Sequence, residues 1–120
     1  MLDLSPVVVE LGQKSDSDIC VTELTMAVLE VETFSLVAGT DASAFRSLDE
    51  AMQEWCYLNR PGLARRTTAK QDDGKYIVIT LFAEASNSDA NYYTSKDSVV
   101  ANWSAVIEKD SRSLNVYSLL

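Results

Sequence analysis

The chain of 120 residues has no histidine, two cysteines, two prolines and four glycines. Without imidazole, Ser-His and Cys-His activation of a nucleophile is closed to it. Cys20 and Cys56 stand far apart and make no CxxC or other metal-ligand spacing, so reduced thiols are expected rather than a zinc site or a disulfide-dependent scaffold. No run approaches the ~20 apolar residues that would span a bilayer. The opening MLDLSPVVVELG lacks the basic region and long apolar core of a secretory signal, so the expected compartment is cytoplasmic and the sequon-like Asn102-Trp103-Ser104 is read as chance. Positive charge is scarce too: 10 Lys and Arg against 18 Asp and Glu give a net charge of -8. Such a chain repels phosphate backbones and anionic lipid, and neither nucleic acid nor membrane is expected as a partner. There is no glycine-rich phosphate loop, HExxH or nucleophile elbow, and an isolated Asp72-Asp73 is poor evidence for a metal, so no metal or cofactor is expected.

What is present is apolar: 47% of residues are hydrophobic, enough for one domain with a single core. Residues 1–20 read as an extension, in which Pro6 to Leu11 form a possible extra strand and Gln13 to Asp18 a polar connector. The domain proper is expected over 21–120. Thr22 to Val37, rich in β-branched and large apolar side chains, reads as strand one. Thr40 or Asp41 then caps a helix on which Phe45, Leu48, Met52 and Trp55 gather within roughly 80° of arc. Pro61-Gly62 stops that helix. Leu63 to Gln71 reads as a mostly wet strand carrying Arg65, Arg66 and Lys70, and Asp72-Asp73-Gly74 as a hairpin turn. KYIVITLFAEA is the third strand. Asn87, Ser88 or Asp89 opens a second helical region through Tyr92 and Tyr93, interrupted near Ser95 to Ser98. That helix resumes with Val99, Val100, Trp103, Val106 and Ile107 on roughly 120° of arc. SLNVYSLL closes the chain as strand four.

The order βαββαβ defines an α+β, ferredoxin-like antiparallel sheet with two helices on one face, strands one and three central and two and four at the edges. The third strand has no polar face: Tyr76, Val78, Thr80 and Phe82 alternate with Ile77, Ile79 and Leu81, and alternation alone does not say which set meets the helices. The other set needs a cover as well. A second copy of the chain packed sheet to sheet would supply it, making the protein a homodimer.

This pattern, with AGTDASAF after strand one, RPGLARR, DDGKYIVITLF and the late helix VVANWSAVI, resembles the dimeric α+β barrel superfamily over Val21 to Leu120, and within it the antibiotic-biosynthesis-monooxygenase type of domain. The resemblance implies face-to-face homodimers. It also implies several unrelated activities, among them cofactor-independent oxidation of aromatic polyketides, haem degradation, lactone isomerisation and ligand sensing, so fold does not choose among them. In the haem-degrading branch an Asn, a Trp and a His form the working set; Glu32, Phe82 and Trp103 stand at the matching positions here. With no histidine, haem ligation in that manner is excluded.

Glu30 and Glu32 share one side of strand one, close enough for one carboxylate to raise the other's pKa. The plainer reading is a solvated pair. The functional one makes Glu32 a general base that takes a proton from a phenol, after which the electron-rich anion reacts with oxygen directly. Phe82, Tyr92, Tyr93 and Trp103 are candidate walls for a small apolar or aromatic ligand, although core packing accounts for Phe82 and Trp103 equally well. Arg65 and Arg66 point to opposite faces, so at most one reaches a given cavity. The expected function is a cofactor-independent monooxygenase acting on a small aromatic or polyketide-like molecule. The alternative is a non-catalytic dimeric small-ligand-binding or stress-associated protein of the same fold.

Overall fold

A computed structural model describes residues 26–120, and the strand and connector expected in the first 20 residues lie outside the described residues. Strands β1 (Val28–Phe34), β2 (Leu63–Lys70), β3 (Tyr76–Phe82) and β4 (Ser113–Ser118) form one sheet in the order β2-β3-β1-β4. All neighbouring pairs are antiparallel, and β1 and β3 are central as the sequence predicts. Helices α1 (Ala42–Asn59) and α2 (Ser98–Ala105) pack against each other. Together with the sheet they enclose a core of Phe34, Phe45, Met52, Val78, Val100 and Trp103.

Local chemistry sets these boundaries. Asp41 caps α1 by accepting from the Ala44 amide, and Asp97 caps α2 by accepting from Val99. Proline and glycine after Arg60 end α1, and Gly62 turns the chain into β2 at a φ of 77° that favours glycine. Gly74 does the same in the β2–β3 hairpin.

Two boundaries differ from expectation. Strand one is shorter than Thr22 to Val37; beyond Phe34 it keeps only an isolated bridge from Leu36 to Ile107. The second helical region breaks near Ser95 and resumes at Ser98 as expected, but its first part is only the separate single 3-10 turns Ala85–Asn87 and Tyr92–Thr94. Asp89, Ser95 and Asp97 side chains accept from the nearby backbone amides of Asn91, Asp97 and Val99, and so compete with a continuous helix.

The structure also resolves which face of β3 meets the helices. Register pairs Glu30 with Thr80 and Glu32 with Val78, so Tyr76, Val78, Thr80 and Phe82 lie on the helix side. Leu29, Val31, Ile77, Ile79 and Leu81 lie on the opposite side, where Ile79 is 37% and Tyr117 52% exposed.

Candidate functional site

Along β1 the helix-facing residues are Val28, Glu30, Glu32 and Phe34, so two carboxylates occupy core positions between apolar neighbours. Both glutamates are only 2% exposed, which overturns the solvated-pair reading. Unpaired carboxylates cannot be held there at reasonable cost, and each has an arginine.

Glu30 is the more fully satisfied. Arg60 donates to it through Nη1 at 3.1 Å and Nη2 at 2.9 Å, and its Oε2 also accepts from Ser88 Oγ at 2.6 Å and Asp89 N at 3.2 Å. Arg60 is placed by the end of α1, where its amide donates to the Cys56 carbonyl. Its guanidinium lies 4.7 Å from the Phe82 ring centre and 4.0 Å from that of Tyr92. A third bond, from Nη2 to the Asp89 carbonyl at 3.1 Å, ties the 85–95 loop to the same cation.

Glu32 is held differently. The Tyr92 hydroxyl donates to its Oε1 at 2.5 Å, and Arg112 Nε lies 2.7 Å from its Oε2. The second contact joins opposite charges without hydrogen-bond alignment: Glu32 Oε2 and Arg112 Nε and Nη2 are buried with no hydrogen-bond partner among the described residues. Burial pushes the Glu32 carboxyl above its ordinary range, and the Tyr92 hydroxyl and the Arg112 charge only partly oppose that. Burial, with the Glu32 charge beside it, drives the Tyr92 hydroxyl well up, so it stays protonated and remains a donor.

β2 is mostly exposed, as expected, but one of its charged residues enters a third buried pair. Arg66, 3% exposed, turns under α1 and donates to Asp49 Oδ1 at 2.8 Å, and Trp103 Nε1 donates to the same oxygen at 3.0 Å. The Asp49 bond and charge raise the Arg66 pKa despite the opposing effect of burial. Arg65 points to the other face, as alternation requires.

Besides a cavity of about 600 Å³ beside Asp49 and Tyr76, two cavities adjoin the Glu30 and Glu32 pairs. One, of about 490 Å³, is bounded by Asn91, Tyr93, Ser104, Ile107, Lys109 and Arg112, with Leu114 at its β4 side. The other, of about 280 Å³, lies between the end of α1 and the 87–95 loop and is lined by Trp55, Arg60 and Tyr92 among others. Tyr93 and Tyr92 therefore face different cavities. Phe82 and Trp103 are fully buried behind them, as packing rather than as walls of either. Glu32 does not line the 490 Å³ cavity but is ion-paired to Arg112, which does and whose guanidinium is 3.9 Å from the Tyr93 ring centre and 5.2 Å from that of Trp103. Arg60 and Arg112 are the residues that sequence reasoning missed, and Arg66, weighed there with Arg65, is the one of the two that turns inward. Their usable signal was two acids on an apolar strand face, which demands buried cations somewhere in the chain. Among the described residues no group of three or more Cys, Asp and Glu is arranged to hold a metal ion, and no helix is long and apolar enough to cross a membrane.

No protein-family profile and no curated protein matches the sequence. Solved structures do match the fold. A protein of Caulobacter crescentus, provisionally named an antibiotic biosynthesis monooxygenase, superposes with a TM-score of 0.63 at 14% identity, over 82% of this chain and 93% of that one. SnoaB of Streptomyces nogalater, described as a cofactor-independent oxygenase, gives 0.57 at 14% identity, over 79% and 94%. Rv0793 of Mycobacterium tuberculosis gives 0.58 at 17% identity, over 78% and 95%. The chain thus has the ferredoxin-like fold of the antibiotic-biosynthesis-monooxygenase-like proteins, as the sequence resemblance implies.

Proposed function

We propose that the chain is a homodimeric, cofactor-independent oxygenase acting on a small aromatic or polyketide-like molecule, with Glu32 as its base. The observation that carries this reading is the buried Glu32 carboxylate with its raised proton affinity, ion-paired to an arginine that lines a ligand-sized cavity. A substrate lies against Tyr93, and Arg112 turns from Glu32 toward the substrate's developing oxyanion. Glu32, still solvated by the Tyr92 hydroxyl, then takes the proton. The ring anion supplies electrons to dioxygen, a new carbon–oxygen bond forms, and loss of water leaves a carbonyl. Conversion of a ring methylene to a carbonyl takes up one dioxygen and releases one water, so no external reductant is required. Phe82 and Trp103 act from behind, fixing Arg60 and Arg112 through their ring faces. The homodimer is supported by the sheet face away from the helices, where the apolar side chains of Ile79 and Tyr117 are exposed and a second copy would cover them.

Oxygen uptake with an anthrone or quinol in air tests the mechanism. Uptake is expected to fall by roughly 100-fold or more in Glu32→Gln protein, the scale of a lost general base. Equal rates in the variant refute the assignment of Glu32. A second reading, a non-catalytic ligand-binding dimer, is favoured by one observation: both Glu32 oxygens are already engaged, by Tyr92 and Arg112. Binding without oxygen uptake across a panel of such substrates decides for it.

A further inference from the structure

We infer that the 490 Å³ cavity takes a small aromatic anion, its carboxylate or phenolate oxygen held by Arg112 and Lys109 and its ring laid beside Tyr93. This deepens the proposed function by naming the substrate class, and it rests on that reading only in treating the cavity as the ligand site. In a chain with 18 acidic and 10 basic residues, two of the bases line one cavity, and none of its lining residues is acidic. The neighbouring Glu108 is committed elsewhere, its side chain accepting from the Asp110 amide to cap the turn that carries Lys109.

Arg112 is the stronger argument. A guanidinium offers five donors, yet this one, with its side chain only 11% exposed, has a single misaligned ion contact, and its Nε and Nη2 lack hydrogen-bond partners among the described residues. Nε and Nη2 are shut off from water, so an incoming oxyanion would take up this unfilled donor capacity as the guanidinium turns toward the cavity, in the planar geometry that suits a carboxylate. Once Arg112 has turned to the guest, Glu32 keeps the Tyr92 hydroxyl as its donor. Stacking of Arg112 on Tyr93 at 3.9 Å makes a flat wall, and Ile107 and Leu114 supply apolar contact for a ring. Ser104 and Asn91 offer neutral hydrogen bonds to a second substituent. The volume falls in the usual range for small-molecule sites, roughly 300 to 1,000 Å³.

Calorimetric titration of the full chain with 2-naphthoate, with 4-nitrophenolate in mildly alkaline buffer, and with the neutral 2-naphthamide tests the inference. At least one of the two anions is expected to bind about tenfold or more tightly than the amide, the return from charge-assisted hydrogen bonds. Which anion binds better tells carboxylate from phenolate recognition. Lys109→Gln, a change at an exposed side chain, should weaken the anion several-fold and leave the amide unchanged. Arg112→Lys should weaken it further, because charge remains but the planar fork is lost. Equal affinity for anion and amide, no anion binding at millimolar concentration, or an unaltered affinity in Lys109→Gln each overturns the inference. Oxygen uptake is a separate measurement, so an anion that binds without being oxidised upholds this site while refuting the oxygenase.

Discussion

Replacing Arg60 with leucine should be among the most damaging single changes available to this fold. Glu30 would keep Ser88 Oγ and the Asp89 amide as donors but lose both guanidinium bonds, at 3.1 and 2.9 Å, while remaining shut away from water. Breaking a buried pair by removing one partner costs roughly 3–5 kcal/mol, and the two surviving donors place this case toward the lower end. Loss of the ring contacts with Phe82 and Tyr92 adds about 1 kcal/mol, and loss of the Asp89 carbonyl bond about as much again. The sum, about 5 kcal/mol, is a large part of the roughly 5–15 kcal/mol that stabilises a domain of this kind. Urea unfolding followed by Trp55 and Trp103 fluorescence, at fixed protein concentration, should show the midpoint falling by roughly 2–4 M. The double variant Glu30→Leu with Arg60→Leu should be more stable than Arg60→Leu alone, because it removes the stranded charge. A loss below about 1 kcal/mol in the single variant, or a double variant worse than the sum of its parts, would refute the account of this pair.

Glu32 binds its proton more tightly in the folded chain than at the ordinary value of 4.5, so native stability should decline as pH climbs from there to the raised folded value and then level off; urea midpoints across that interval should show the decline in the natural chain and not in Glu32→Gln. Ile79→Asp, on the open sheet face, should turn a dimer into a monomer in analytical ultracentrifugation, and a natural chain already monomeric at high concentration would end the dimer proposal. Gly62→Ala places a side chain at a φ of 77° with its Cβ driven against Asn87 Nδ2, so a loss of about 1 kcal/mol or more is expected in urea unfolding, only partly relieved by adding Asn87→Ala. Trp103→Phe removes a 3.0 Å donor to Asp49 and should cost about 1–3 kcal/mol in the same assay.

Topology was legible because it depends on patterns local to the chain. Apolar periodicity marked α1 and α2, Pro61-Gly62 and Asp73-Gly74 marked the turns, and right-handed crossovers then ordered the strands. The site was less legible. Glu30 pairs with Arg60, Glu32 with Arg112 and Asp49 with Arg66, partners 17 to 80 residues apart that no short spacing connects. Average hydrophilicity assigned Arg66 to a wet edge, whereas the register of β2 against β3 sets it opposite Thr80 on the enclosed side. The face of β3 that meets the helices was unreadable for a simpler reason: with both sides apolar, period-two alternation carries no contrast.

The three enclosed arginine–carboxylate couples cancel one another's charge, so the whole surplus of eight negative charges belongs to the rest of the molecule. An acidic guest approaching Lys109 and Arg112 must first cross that repelling field. Added electrolyte should therefore hasten its arrival, because the barrier is long-ranged and easily screened, while it loosens the grip at Lys109 once the guest is seated. Two copies meeting sheet to sheet face the same barrier, so self-association should also quicken as salt is raised.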